Sequence, residues 1–538
     1  MWRLATVIAV CLPALALGAE PSHLSVGGAE LLHRGTCTNL SLSPDHTLTL
    51  KPGAFCGTCS LTLDVPAGNP KRVNVSVINP KTPPGNATLR LWPASATDIA
   101  AQVRFRLSDG RWTEWQPRNL LRGGDMRDSD GDGIPDWVSV MHLRDDGSNL
   151  FYADTRISDW MPPKKSYWDG KTRASGTFVD AVEPPAGAWQ SLRLNRPASG
   201  GGQDTAAMRL DLVPPDAELT VCGWTKYDLG NETSMGVMAR FHEFDGSGNR
   251  VNKYVLLGDD DFHQPSGRSE WRWRALSFKS LPQTTFLNLY PIRMIGGKGR
   301  AWAANYEIRL GAVHSDWGSE QAIFRESFES LDGWDISGPG GGALSDKAVD
   351  GRSSLRLDPE PLKVVTATQK SCIKVEPGQL YAFRIAMQND VPAHYEKTHQ
   401  AWMSAYLEFY DKDMRFLDYC KAMAFRPTPG RPVGAAMHAP NGSRFARFML
   451  AASHISYGDR TGMDGPMHAY FDALQLEKSD FDPAFTPRPD ADIRLDVPRS
   501  ADKMEVRSYL LSRQRDLRPS FAGYTIEWSA PEQDSLAP

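Results

Sequence analysis

A single β-strand is predicted for the segment Ala469-Tyr470-Phe471-Asp472-Ala473-Leu474-Gln475-Leu476-Glu477, which has the length and apolar content of one. A second strand is predicted for Ala405-Tyr406-Leu407-Glu408-Phe409-Tyr410, which alternates and is followed by the turn signal Asp411-Lys412-Asp413. Similar alternating runs recur along the chain, and amphipathic helices are nearly absent. The sequence therefore predicts an all-β, multidomain protein made of β-sandwiches.

These strands belong to the second of two similar modules, predicted for residues 150–316 and 322–487. Each module has about the length of a jelly-roll sandwich. The first module matches the second less well, but its residues 237–245 parallel residues 405–411. The sequence thus predicts two consecutive jelly-roll modules.

Further segments flank the two modules. Residues 20–122 contain short alternating runs, such as Arg72-Val73-Asn74-Val75-Ser76-Val77, and predict an N-terminal β-sandwich of immunoglobulin-like or fibronectin-like character. Residues 123–149 are predicted to hold a cation-binding loop and a linker. Residues 488–538 form a tail with short strands, which either packs on another domain or closes as a small hairpin.

The composition is that of an ordinary globular protein, with 41% hydrophobic and 23% charged residues in a chain of 538. The formal net charge is −4, which argues against a nucleic-acid partner, since such a partner requires a basic surface. Beyond the N-terminus no stretch is long and apolar enough for membrane insertion. The 46 Gly and 39 Pro residues are typical of many short strands separated by turns.

The N-terminus predicts export from the cytosol. Arg3 supplies a positive charge, residues 4–17 are apolar, and small residues precede a cleavage point near Ala19, so residues 1–19 are interpreted as a signal peptide. The expected location is secreted, periplasmic or on the cell surface. Cleavage leaves an even number of cysteines, which permits disulfides, and we expect a structural bridge among Cys37, Cys56 and Cys59 rather than a redox pair.

The most specific motif is an acidic loop that predicts a calcium ion. Carboxylates at positions 1, 3, 5 and 9 of one tight loop require a hard cation, and a backbone carbonyl at position 7 completes the oxygen shell. The usual Glu at position 12 is replaced by Ser139. The alternative is an acidic, solvated turn. The expected ligands are Asp128, Asp130, Asp132, Ile134 and Asp136.

The ordered motifs of residues 322–487 resemble a known family. An early Phe-Glu pair, Gly351-Arg352-Ser353-Ser354-Leu355-Arg356-Leu357, the Leu-Glu-Phe-Tyr-Asp strand and the final Tyr-Phe-Asp-Ala-Leu-Gln-Leu-Glu strand are similar to galactose-binding-like jelly-roll carbohydrate-binding modules of families 4, 9, 16 and 22. The acidic loop resembles thrombospondin type 3 repeats. The family resemblance implies structural calcium held by Glu329 and Asp472, and Asn305 stands where the first module would carry the Asp.

The resemblance also implies a saccharide ligand, because flat aromatic rings cover the apolar face of a pyranose while polar groups bind its hydroxyls. The alternative for each aromatic residue is a place in the core. The candidate ligand-binding residues are Trp224, Tyr227, His263 and Trp271 in the first module, and His394, Tyr395, Trp402, Tyr457 and Arg460 in the second.

Three functions remain open at this point. The first is secreted, non-catalytic binding of a polysaccharide or other glycan by calcium-stabilised modules. The second is a secreted glycoside hydrolase or polysaccharide lyase with catalytic carboxylates on one sandwich, for which residues 259–261 offer three consecutive Asp. The third is a cell-surface adhesion scaffold. The sequence has no serine-hydrolase elbow, zinc-protease motif, P-loop or dinucleotide fingerprint, so binding is favoured and no catalytic residue is assigned.

Overall fold

Where its residues are described, the structure, a computed structural model, contains one short helix and otherwise β-strands, which confirms the all-β prediction. None of its helices is long and apolar enough to span a membrane, within the residues described. Those residues are 22–44, 46–51, 56–66, 70, 72–78, 99–113, 115–116, 119–129, 131–143, 150–153, 178–180, 190–196, 202–210, 213, 216–230, 237–245, 249–258, 262–263, 265–296, 298–361, 363–390, 399–425, 431–456, 467–485, 492–511, 520–521 and 523–529.

The elements follow the chain in four groups. The N-terminal group is β1 (Ser22–Gly27), α1 (Gly28–Arg34), β2 (Thr36–Thr38), β3 (Leu40–Leu42), β4 (Leu48–Leu50), β5 (Cys56–Asp64), β6 (Arg72–Ile78) and β7 (Ile99–Leu107). The first module contributes β8 (Ser139–Leu143), β9 (Leu150–Ala153), β10 (Val179–Asp180), β11 (Ser191–Arg196), β12 (Gln203–Leu210), β13 (Glu218–Asp228), β14 (Val237–Asp245), β15 (Arg250–Leu257), β16 (Arg272–Lys279), β17 (Thr284–Ile295) and β18 (Gly299–Leu310).

The second module and the tail complete the set. The second module contributes β19 (Ala322–Glu326), β20 (Trp334–Ser337), β21 (Gly342–Ser345), β22 (Ser354–Leu357), β23 (Val364–Gln369), β24 (Ile373–Lys374), β25 (Leu380–Asn389), β26 (His399–Tyr410), β27 (Phe416–Ala424), β28 (Val433–His438), β29 (Phe445–Ser456) and β30 (Ala469–Lys478). The tail contributes β31 (Asp492–Asp496), β32 (Ala501–Leu511), β33 (Ser520–Phe521) and β34 (Gly523–Ser529).

The two ends of the chain fold together into one sandwich. One sheet has the strand order β1-β34-β6-β31, another β2-β5-β32-β7, and a small third sheet β3-β4-β33. Alternating residues such as Leu61, Val75, Val506 and Ile526 point into a common core. The tail therefore supplies central strands of the N-terminal sandwich, whereas the sequence predicted residues 488–538 as a separate segment.

A disulfide joins Cys37 to Cys59, which lie directly opposite each other on the paired strands β2 and β5. Among the cysteines whose side chains are described, Cys222, Cys372 and Cys420 are not in a disulfide. The bridge therefore uses two of the three thiols that the sequence grouped together.

The two modules share both of their sheets. An eleven-stranded sheet has the order β10-β11-β18-β13-β16-β28-β25-β30-β22-β21, with β19 attached to β30. A twelve-stranded sheet has the order β20-β23-β29-β26-β27-β15-β14-β17-β12-β8-β9, with β24 attached to β29. The modules meet where β16 pairs with β28 and where β15 pairs with β27. One hydrophobic core runs between the sheets through both modules.

The strand order on each side of these junctions is the same, so the halves are related by an approximate twofold arrangement. The turns after β14 and β26 confirm the equivalence in detail. Asp245 accepts a hydrogen bond from the amide of Asn249 at 2.8 Å, and Asp411 accepts one from the amide of Arg415 at 2.9 Å. Residues at the same distance before these two aspartates therefore occupy matching positions. His242, three residues before Asp245, matches Glu408, three residues before Asp411.

A charged layer lies between the sheets at the junction. Asp418 of β27 accepts hydrogen bonds from Arg272 at 3.1 Å and from Arg274 at 2.9 Å, both on β16 of the other module. Arg274 is buried, so its charge depends on this carboxylate for compensation. Lys421 also crosses the junction and donates to the carbonyl of Gly258 at 2.7 Å.

Replacing Asp418 with Asn should lower the free energy of unfolding by about 3 kcal/mol, because the buried Arg274 then lacks its counter-charge. Urea unfolding followed by tryptophan fluorescence would measure this change. Asp413→Asn is the matched control, since Asp413 forms an exposed ion pair with Lys412 and its loss should cost at most about 0.5 kcal/mol. Equal losses in both variants would contradict the assigned role of Asp418.

Candidate functional site

The outer face of the twelve-stranded sheet carries a group of aromatic and charged side chains near the module junction. Alternation along β26 sends Leu407 and Phe409 into the core, and therefore sends Tyr406, Glu408 and Tyr410 to the opposite face. We call the group the junction cluster and define it by six residues: His263, Glu408, Tyr410, Phe416, Tyr419 and Arg447.

Glu408 is the centre of the junction cluster. Its carboxylate accepts hydrogen bonds from His263 Nε2 at 2.9 Å, from Arg447 Nε at 3.2 Å and from the hydroxyl of Tyr410. Arg447 Nε also donates to the hydroxyl of Tyr410, at 2.9 Å. These shared bonds fix the orientation of several polar groups at the sheet surface.

His263 reaches the cluster from the first module. It follows β15, and its imidazole stacks on the rings of Phe416 and Tyr419, each with a centroid distance of 4.8 Å. The preceding Phe262 makes edge contacts with Trp402 and Tyr406. Phe416 is 45% exposed, so one flat aromatic surface of the cluster faces solvent.

The electrostatics of the cluster keep Glu408 ionised. Burial alone would raise the pKa of this carboxyl, but the hydrogen bonds from His263 and Tyr410 and the positive charge of Arg447 outweigh burial and lower the pKa. For Tyr410, burial and the adjacent Glu408 raise the pKa. Glu408 is therefore a stable hydrogen-bond acceptor and a poor proton donor.

The structure places the other predicted sugar-binding residues apart from one another. Trp224 is half-buried on the outer face of the eleven-stranded sheet, beside Trp273 and Cys222. Tyr227 packs against the main core, and burial raises its pKa. Trp271 is half-buried just before β16. Of the predicted residues that the structure describes, His263 is the one in the junction cluster.

Trp402 requires a correction. It is 1% exposed, so its ring is not available as a platform for a ligand, although alternation along β26 places it on the same face as Tyr406. Phe262 of the first module covers it at the junction, a contact that the sequence of the second module alone does not contain. The remaining candidates, His394, Tyr395, Tyr457 and Arg460, lie outside the described residues, as do residues 259–261.

Most residues of the junction cluster were not among the predicted site residues. The alternation of Tyr406, Glu408 and Tyr410 is visible in the strand quoted at the outset, and it would have placed these three side chains on one face. Arg447 and Tyr419 come from neighbouring strands, and their proximity follows only from the strand register.

The acidic loop is a compact turn whose carboxylates accept hydrogen bonds from its own backbone amides. Asp128 accepts hydrogen bonds from the amides of Gly131 at 2.8 Å and Gly133 at 2.9 Å, and both glycines have positive φ angles that favour glycine. Asp136 accepts one from the amide of Ser129 at 2.9 Å. The side chain of Ile134 anchors the loop in the core.

Asp130 is outside the described residues, and among those described no group of three or more His, Cys, Asp or Glu side chains converges as a metal site. Asp132, an expected ligand that the structure does describe, accepts a hydrogen bond from the amide of Ile134 at 2.8 Å. The calcium assignment therefore stays a prediction.

Glu329 and Asp472 approach one loop from two sides. Glu329 accepts hydrogen bonds from the amides of Arg352 and Ser353, and Asp472 accepts one from the amide of Asp350 at 2.8 Å. Burial raises the pKa of Asp472 despite these bonds. The two carboxylates thus accept hydrogen bonds from the same turn, and the calcium that the family resemblance implies for them stays a prediction.

The first module lacks the equivalent carboxylate. Strand β18 pairs with β13 just as β30 pairs with β25, with a bulge in each pair, and these pairings place Ala304 opposite Trp224 where Asp472 lies opposite Ala386. The left-handed residues that follow are Asn305 and Ala473. The counterpart of Asp472 is therefore Ala304, and not Asn305 as the sequence indicated.

Comparison with known proteins gives similar structures but no assigned family. No protein-family model and no curated protein matches the chain. The chain is similar to the tandem CBM22-1–CBM22-2 domain from Paenibacillus barcinonensis Xyn10C, with 15% identity, a TM-score of 0.23, and coverage of 56% of this chain and 90% of that one. It is also similar to TmCBM61 in complex with β-1,4-galactotriose, with 9% identity, a TM-score of 0.21, and coverage of 31% and 100%.

A second unusual carboxyl group, that of Glu243, lies inside the core of the first module. It accepts hydrogen bonds from the hydroxyl of Thr284 at 2.9 Å, the amide of Leu281 at 3.2 Å and the hydroxyl of Tyr254 at 3.0 Å. Burial raises the pKa of Glu243 to about 7, a value that suits a general acid. The side chain is completely buried, however, so no substrate reaches it.

Stability should fall as the pH rises through the pKa of Glu243. The pKa of Glu243 is about 7 in the folded protein and lower in the unfolded chain, so folding is favoured while the carboxyl group is protonated. Once the pH exceeds 7, the free energy of unfolding has fallen by up to about 3 kcal/mol. Glu243→Gln, a neutral isostere, should unfold at a higher temperature than the wild type at pH 8.5 and at a similar temperature at pH 5. Parallel melting curves for the two proteins across this range would contradict the assignment.

Proposed function

We propose that the protein binds polysaccharide without cleaving it, through the outer face of the twelve-stranded sheet. The observation that carries this proposal is the junction cluster, in which Glu408 orients His263, Tyr410 and Arg447 beside the exposed ring of Phe416. A pyranose presents an apolar C–H face to such a ring and hydroxyl groups to the polar atoms around it. The cluster offers both kinds of contact within one surface.

The charge state of the cluster favours binding over hydrolysis. A glycoside hydrolase requires a carboxyl group with a raised pKa as its proton donor. Glu408 has a lowered pKa, and Glu243, whose pKa is raised, is sealed in the core. The described carboxyl groups of this face therefore support orientation of hydroxyls rather than proton transfer.

We also propose that the protein works outside the cytosol and is stabilised by calcium. The disulfide between Cys37 and Cys59 supports an oxidising compartment, since such bonds are rare in the cytosol. The folded acidic loop, with Asp128 and Asp136 already turned onto its backbone amides, supports calcium as the ion.

Replacing Phe416 with Ala should weaken binding of a neutral polysaccharide about tenfold, because the exposed stacking surface is lost. Affinity electrophoresis of the full chain against a panel that includes xylan and β-1,4-galactan would measure this loss. Leu344→Ala is the matched control, because Leu344 is similarly exposed but lies on β21 of the other sheet. Unchanged binding in the Phe416 variant would refute the site.

A reducing-end assay on the same polysaccharides separates binding from hydrolysis. We expect retention of the protein on the polysaccharide and no release of new reducing ends over hours. Sustained product release by wild-type protein, abolished in Glu408→Gln, would refute the non-catalytic proposal and identify Glu408 as a catalytic residue.

Calcium should raise the melting temperature of the protein, because the ion binds only the folded loop. At a calcium concentration one hundred times the dissociation constant, the free energy of unfolding should rise by about 2.7 kcal/mol. Differential scanning calorimetry in calcium and in chelator would measure the difference. In Asp128→Asn the difference should shrink or vanish, whatever the effect on the melting temperature itself. Identical wild-type profiles in calcium and chelator would count against the ion.

A further inference from the structure

Arg447 is anchored in the junction cluster through one edge of its guanidinium group. Its Nε donates hydrogen bonds to Glu408 at 3.2 Å and to the hydroxyl of Tyr410 at 2.9 Å. The guanidinium carbon also lies 4.9 Å from the centre of the Tyr410 ring. These contacts restrict the orientation of the guanidinium group, because a planar fork that is held at one edge and packed on a ring has little freedom to rotate.

The other edge of the same guanidinium group is open. Within the part of the chain that the structure describes, neither Nη1 nor Nη2 of Arg447 donates a hydrogen bond to the protein. The side chain is 34% exposed and its terminal nitrogens are not buried, so a ligand can reach this edge. One N–H group of each terminal nitrogen points outward, and the two are parallel. The cluster therefore presents an oriented pair of hydrogen-bond donors.

The charge on this pair of donors is already compensated within the cluster. The ionised Glu408 forms an ion pair with Arg447. A carboxylate or sulfate at the open edge would lie close to the carboxylate of Glu408, and repulsion between the two anions would offset the attraction to the guanidinium group. Hydroxyl oxygens accept the same two hydrogen bonds without this cost. The open edge therefore fits two neutral acceptors better than an anion.

Two hydroxyl groups on adjacent carbons of a pyranose ring supply such a pair of acceptors, since the ring holds their oxygens close together. The exposed ring of Phe416 is a neighbour of this edge through Tyr410. The rings of Tyr410 and Phe416 meet edge to face with a centroid distance of 6.1 Å, and Tyr410 also contacts Arg447. A saccharide that packs on Phe416 therefore has hydroxyl groups within the cluster that contains the open edge.

We propose that Arg447 is the specificity-determining residue of the junction cluster, and that its open edge binds a vicinal diol of a neutral saccharide. In a 1,4-linked pyranoside, O2 and O3 of every unsubstituted internal residue form such a diol. In a 1,3-linked pyranoside the linkage consumes O3, and the remaining O2 and O4 are not neighbours. The inference rests on the proposed polysaccharide binding and adds the linkage class that the site selects.

Paired linkage isomers test the inference. Affinity electrophoresis of the full chain compares 1,4-linked with 1,3-linked xylan and 1,4-linked with 1,3-linked galactan, so the monosaccharide and the absence of charge are the same within each pair. The wild type should bind at least one 1,4-linked polymer about tenfold more tightly than its 1,3-linked isomer, because two hydrogen bonds are lost with the isomer. Equal affinity within both pairs would overturn the inference.

Arg447→Lys separates recognition of the diol from the support that Arg447 gives to Glu408. Lysine keeps the positive charge but does not present two parallel donors. Binding of the 1,4-linked polymer should weaken about tenfold, while binding of the 1,3-linked isomer stays as in the wild type. Arg352→Lys is the matched control and should change neither, because Arg352 is exposed on a turn outside the cluster. An equal loss for both linkages in Arg447→Lys would show a purely structural role and contradict the inference.

The outcomes distinguish this inference from the function on which it rests. If Phe416→Ala weakens binding while neither the linkage nor Arg447→Lys changes it, the proposed function stands and Arg447 does not determine specificity. If the wild type binds no neutral polysaccharide of either linkage, both proposals fail. Binding of polygalacturonate that is tighter than that of either neutral 1,4-linked polymer and is lost in Arg447→Lys would identify a carboxylate at the open edge and overturn the assignment of a diol.

Discussion

Backbone hydrogen bonds at two strand junctions hold the two modules in one continuous pair of sheets. At the first junction, Ala275 lies opposite Ala436, and Ser277 lies opposite Gly434. These side chains are small, and a Cβ atom on Gly434 would lie 2.0 Å from the ring of His314, which belongs to the connection between the modules. Close packing of the connection thus requires glycine there, and burial lowers the pKa of His314 to about 4. The junction also covers strand edges that would otherwise be open to unwanted pairing.

Shared sheets fix the distance between the two halves of the outer face. Modules joined by a flexible linker lose orientational freedom when both bind one chain, and this loss weakens the combined affinity. Here that freedom is absent before binding, since the buried Arg274–Asp418 pair and the continuous core oppose any hinge at the junction. The two halves of the outer face therefore keep a fixed relation to each other.

The sequence alone predicted many of the strands but did not predict which strands pair with one another. Alternation in residues 405–410 and 469–477 predicted strands because the side-chain period of a half-buried strand is local. Pairing of β32 with β5 and β7, separated by about four hundred residues in sequence, leaves no local signal. The same reason explains Trp402: its burial depends on Phe262 from the other module. The counterpart of Asp472 was displaced by one residue, because the match between strands of the two modules follows from their pairing register and not from residue type.

The two halves differ at matching positions of their outer faces. They keep the same turn at Asp245 and Asp411, but His242 stands in one half where Glu408 stands in the other. Glu408 in turn holds His263, a residue contributed by the first module, and the stack of His263 on Phe416 and Tyr419 completes the second module's surface. The second module therefore depends on the first for the structure of its own site. Fusion of the sheets is thus a condition for the junction cluster to exist, because without it His263 and Glu408 would have no fixed relation to each other.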